Sequence, residues 1–146
     1  MKLGQIVSIE IMNNMPSEAA SIHFHGMHFP GTPFYDGGAM IAQAPVPPAR
    51  LMRYKFRAHP SGTQWYHSHA GMQWADGLRG LFIVEDPEDP WAGAYDVDAA
   101  IALADDMEKT TALAYYWAKE SVAFASTATT NSDPDGLYYE RGVTGG

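Results

Sequence analysis

The segment RLMRYKFRA (residues 50–58) sets Leu51, Arg53, Lys55 and Arg57 against Met52, Tyr54, Phe56 and Ala58 in strict alternation. Successive side chains of an extended chain point to opposite faces, so the pattern specifies a strand with one wetted face and one buried face. Similar runs recur at close intervals. GQIVSIEIMNN (4–14) is a strand ending in an Asn-Asn-Met-Pro turn, and ASIHFHG (20–26) is one stopped by Gly26. GTQWYHSH (62–69), RGLFIVED (79–86) and DVDAAIALAD (96–105) read as three more. Between them, Pro30 to Pro48 is a long loop carrying Gly31, Gly37, Gly38 and PVPP, and GMQWADGL (71–78) reads as one helical turn. Short strands punctuated by Gly and Pro define an all-β sandwich or barrel.

At 146 residues the chain has room for one domain, and not for a (β/α)8 barrel of roughly 250 residues. Its character changes after Asp106. MEKTTALAYYWAKESVAFASTA (107–128) is rich in Ala, with Leu113, Tyr116, Trp117 and Phe124 near helical spacing, and TTNSDPDG follows. The chain therefore divides into a β-domain over 1–106 and a segment, 107–146, read as a linker or the truncated start of a second domain with a short helix.

A formal charge of −8 with only 9 Lys+Arg leaves no basic patch with which to neutralise phosphates, so neither nucleic acid nor an anionic membrane surface is an expected partner. The absence of cysteine removes disulfides, thiol catalysis and thiolate metal ligands together. No apolar run approaches the roughly 18 residues that cross a bilayer, and Met1–Ile6 is too short and polar for a signal peptide.

Five of the 6 histidines lie in two short stretches, SIHFHGMH and WYHSH, four of them as His-x-His pairs. On a strand, His23 and His25 present two imidazoles about 7 Å apart on one side. His67 and His69 do the same on another strand. If the strands are adjacent, four imidazoles converge on one volume, and neutral imidazole suits copper, zinc, iron or nickel. The flanking aromatics Phe24, Trp65 and Tyr66 are expected to pack the opposite face as core. His59, isolated before Pro60, reads as an exposed loop residue, and His28 stays open.

IHFHG (22–26), YDG (35–37), GTQWYHSH (62–69) and DGLRGLFIVEDP (76–87) together resemble the N-terminal, plastocyanin-like cupredoxin domain of multicopper oxidases of the laccase, ascorbate oxidase and ferroxidase kind, over about Gly4 to Asp106. The resemblance implies a cupredoxin-like Greek-key β-sandwich and a trinuclear copper cluster. It implies that His23 ligates the type 2 copper and that His25, His67 and His69 ligate the type 3 pair. It also places Asp36 as a carboxylate beside the cluster that orients ligands and delivers protons to reduced oxygen; a plain turn Asp before Gly37 is the other reading.

The family's remaining motifs, of the HPxHxHG and HCHxxxH type, do not occur in these 146 residues, nor does the cysteine of the blue type 1 copper. The resemblance thus implies a piece of a larger oxidase, its cluster completed by C-terminal cupredoxin domains, with O2 and an electron-donating substrate as partners and a secreted or extracytoplasmic setting. On this reading the chain alone is inactive. Two alternatives stand beside it. One is a stand-alone copper-binding protein without turnover. The other is a cupin-like single-metal enzyme, ranked last because AGMQWADG, after His69, lacks the glutamate which that pattern needs.

Overall fold

The computed structural model describes residues 1–104. Five strands follow one another: β1 (Ile6–Asn13), β2 (Ile22–His25), β3 (Arg50–Arg57), β4 (Gly62–Ser68) and β5 (Arg79–Val84). One short 3-10 turn, Pro33–Tyr35, interrupts the long loop between β2 and β3. The strands form two antiparallel sheets, β1-β3 and β2-β4-β5. The first three connections cross from one sheet to the other, and only β4–β5 stays within its sheet. This is the expected all-β Greek-key sandwich.

The alternation seen in residues 50–58 is what closes it. Tyr54, Phe56 and Ala58 are fully buried, while Arg53, Lys55 and Arg57 lie in solvent, Arg53 paired across the sheet with Glu10. The β2-β4-β5 sheet answers with Ile22, Phe24, Phe82 and Val84. Phe24 is central: its ring centre lies 5.4 Å from Tyr54, 5.0 Å from Phe56 and 5.2 Å from Phe82. Tyr66, on the same side of β4, faces Gly80 of β5, where an added Cβ would meet its hydroxyl at 2.6 Å. The sheets are also tied by a polar bond, the Ile22 N–H donating to Tyr54 Oη at 3.1 Å in a buried setting.

One expectation is corrected. DVDAAIALAD forms no strand over its described part: residues 97–104 have no regular structure, and Val97, Ile101 and Leu103 are 79%, 75% and 91% exposed. Apolar composition makes a strand only where a neighbouring edge pairs with it, and no described strand does so. The single helical turn expected over 71–78 is met by consecutive turns at Gly71–Gly77, with the Asp76 N–H on the Met72 carbonyl at 3.2 Å. The helix expected after residue 106 lies outside the described residues.

Candidate metal centre

β2 and β4 are paired so that His23 faces His67 directly, Phe24 faces Tyr66 and His25 faces Trp65. Beyond the end of β4 the register continues, the His69 N–H donating to the Ser21 carbonyl at 2.7 Å. Odd-numbered residues of both strands therefore share one face and even-numbered ones the other. That face carries His23, His25, His67 and His69. Ring centres lie 5.3 Å apart for His23 and His67, 5.4 Å for His23 and His25, 5.6 Å for His23 and His69, and 5.7 Å for His25 and His67. One ring nitrogen each from His23, His25 and His67 lies within 4.8 Å of the others, close enough to share a metal ion. His69 flanks this triad at 6.0 Å from His67.

Hydrogen bonds set the tautomers of two rings. His23 Nδ1 lies 2.6 Å from the Asp36 carbonyl oxygen, and His67 Nδ1 lies 2.9 Å from that of Ser68. A carbonyl oxygen can only accept, so both Nδ1 atoms carry the proton and both Nε2 lone pairs are left for a ligand. This is the arrangement that orients metal-binding imidazoles. His67 is the most enclosed of the four, 9% exposed. Burial holds its pKa below the ordinary histidine value; the bond to Ser68 opposes that shift, and the neighbouring His23, His25 and His69 add to it. The ring is therefore kept neutral, the form that binds metal.

Asp36 approaches His23 chiefly through its main chain. Its carboxylate oxygen Oδ1 lies 3.5 Å from His23 Nδ1, and its side chain is substantially exposed. What brings the Asp36 carbonyl so close is Gly37. With φ at +87°, and with any Cβ falling 1.9 Å from the Ile22 carbonyl oxygen, this position lets the loop lie flat on β2. Ser21 Oγ donates to the Gly37 carbonyl at 2.6 Å and clamps that approach.

Trp65 is a correction. It sits on the histidine face, half-buried, stacked on His67 at 4.3 Å and on His25 at 4.9 Å. Phe24 and Tyr66 do pack the opposite face as expected. The signal for Trp65 lay in its numbering, since residues 65, 67 and 69 of one strand must share a side. Gln73 had no such signal. It accepts from Ser68 Oγ at 2.5 Å and donates to the Ala19 carbonyl at 2.9 Å, tying the 71–77 turns to the chain entering β2. His59 is exposed but not isolated, for its ring centre lies 5.3 Å from that of His28.

A sandwich whose adjoining strands gather four imidazoles at one edge defines a class, that of metal-binding β-sandwich domains. The chain belongs to the multicopper oxidase family: the family description "Multicopper oxidase" matches residues 1–89. It is 41% identical over 103 residues to the "Iron transport multicopper oxidase FET3" of Gibberella zeae, covering 70% of this chain and 17% of that protein. To the laccase of Trametes maxima it is 40% identical over 111 residues, covering 70% of this chain and 22% of that one. Among solved structures it superposes on Fet3p, a multicopper oxidase that functions in iron import, with a TM-score of 0.69 at 36% identity, covering 80% of this chain and 22% of that one. A laccase from Botrytis aclada aligns at a TM-score of 0.54 and 39% identity, over 55% of this chain and 15% of that one. The fold is thus the cupredoxin-like sandwich of these copper-using oxidoreductases. The chain spans about a fifth of the length of such relatives.

Proposed function

We propose that this chain supplies one wall of a trinuclear copper centre in a laccase-like or ferroxidase-like oxidase, His23 binding the type 2 copper and His25, His67 and His69 the type 3 pair. The observation that carries the reading is the β2–β4 register, which sets His23 against His67 and gathers three ring nitrogens within 4.8 Å. The donor set fits copper: four imidazoles, two of them with Nδ1 already committed to a carbonyl, and no thiolate. Copper in such a centre supplies one-electron redox exchange by which O2 takes four electrons and four protons to water.

The chain's own part is positional. Asp36 and Ser68 hold two rings in the ligating tautomer, and Trp65 limits the rotation of His25 and His67. The Asp36 carboxylate, open to solvent and 3.5 Å from His23 Nδ1, stands where it can pass protons inward. The remaining copper ligands, and the type 1 site that takes electrons from the reducing substrate, come from residues outside these 146. The setting proposed is extracytoplasmic.

The test counts copper retained after desalting, in a chain whose other histidine pair is removed (His28→Ala, His59→Ala). His67→Ala or His25→Ala should lower the retained copper, since each removes one of the imidazole donors. Equal retention with and without these rings would overturn the assignment.

A further inference from the structure

Two histidines take no part in the centre just described, and they meet. The rings of His28 and His59 lie with centres 5.3 Å apart and planes at 69°. The His23–His67 pair has nearly the same geometry, 5.3 Å and 75°. Two imidazoles that each direct a nitrogen at one ion from roughly 2.1 Å, at a near-tetrahedral angle, have centres about 5 Å apart. The ring spacing therefore matches that of a chelating pair.

The backbone beneath the pair is already rigid. The His28 N–H donates to the His59 carbonyl at 2.7 Å, joining the two residues directly. Met27, before His28, is buried in the core, and Phe29, after it, packs on Phe56 at 4.9 Å. Ala58, before His59, is fully buried, with its N–H on the Gln5 carbonyl at 2.8 Å and its carbonyl taking the Gly4 N–H at 2.9 Å. Both Cα atoms are thus held, and only the rotation of two short side chains is lost on binding. Both rings are exposed, so an ion there can keep water in its other positions.

We propose that His28 and His59 form a second metal site, separate from the His23, His25, His67 and His69 group and sharing no residue with it, which takes one divalent ion of the copper or zinc class. Softer ions would need a thiolate, which the chain lacks. Calcium and magnesium would need oxygen ligands. The proposal does not rest on the trinuclear reading, and either can fail alone.

Zn2+ is the probe, because it is redox-inert. Replacing His23, His25, His67 and His69 by Ala leaves His28 and His59 as the only histidines of the 6 in the full chain. Calorimetric titration should then find one equivalent of Zn2+, weakened about 100-fold by His28→Ala or by His59→Ala, because the second ring of a chelating pair acts at high effective concentration. The double variant should lose less than the product of the two single losses, since either single loss already ends chelation and leaves only one weak ring to remove. No binding in the four-Ala chain, or losses that simply add, would overturn the site. Should the four-Ala chain fail to fold by circular dichroism, the histidine ring resonances of the native chain decide. Those of His28 and His59 should move together under added Zn2+ and lose the response in either single variant; resonances that stay still would overturn the proposal.

Discussion

A hydrogen in place of a methyl at Gly37 decides whether the long loop can reach β2. An alanine there meets two obstacles, the left-handed backbone and an Ile22 carbonyl oxygen 1.9 Å from its Cβ. Gly37→Ala should therefore cost about 2–4 kcal/mol in urea denaturation. It should also weaken copper retention, because the Asp36 carbonyl would withdraw from His23 Nδ1. Asp36→Asn keeps that carbonyl, and its stability should stay within about 0.5 kcal/mol of the native chain. A large loss on Asp36→Asn with none on Gly37→Ala would reverse the roles assigned to side chain and main chain. At this scale the sequence named the four histidines and Asp36, yet it could not say which atom of Asp36 reaches His23. That depends on a loop backbone whose path no local pattern encodes.

At the scale of elements, β2 is only four residues long and owes its place to its neighbours. It lies at one edge of its sheet, where unpaired backbone groups are a liability. Tyr54 Oη takes the Ile22 N–H on that edge, and Gly37 covers the Ile22 carbonyl. Tyr54→Phe keeps the ring and removes the acceptor, leaving a buried N–H unpaired. The expected loss is about 1–3 kcal/mol by thermal or denaturant unfolding. An unchanged midpoint would mean that the hydroxyl contributes nothing to holding the sheets together. Period-2 alternation made β3 legible from its residues alone, because one face is wet and the other dry. It failed at 97–104, where apolar residues find no partner strand among the described residues. The same alternation puts Trp65 with the histidines, because parity within a strand outranks the tendency of aromatics to be core.

For the whole molecule, metal and fold are linked. Any ion held by the folded rings and not by the unfolded chain adds stability, about 2.7 kcal/mol at one hundred times Kd. In the His28→Ala, His59→Ala chain, added copper should raise the unfolding midpoint, by several degrees for a domain of this size. His67→Ala should shrink the rise, and a rise left unchanged by His67→Ala would place the metal elsewhere. Because these 146 residues contain no cysteine, the copper-loaded chain should show no intense blue absorption, and an oxygen electrode should record no sustained uptake with phenols, ascorbate or Fe(II). Histidine-dependent turnover there would show that the chain carries a complete oxidase site.

Spacing alone settled which residues could share a face: alternation in a strand is a local consequence of backbone geometry, so His-x-His predicts paired imidazoles wherever the strand lies. Likewise the sandwich was legible in the wet and dry faces of residues 50–58. Only the tertiary structure decided that His23 stands against His67, that the Asp36 main chain rather than its carboxylate makes the close contact with His23, and that His28 meets His59 across 31 residues of chain. These are contacts between segments distant in sequence. They are set by sheet register and by loop paths packed on a shared core, and a local pattern carries no information about either.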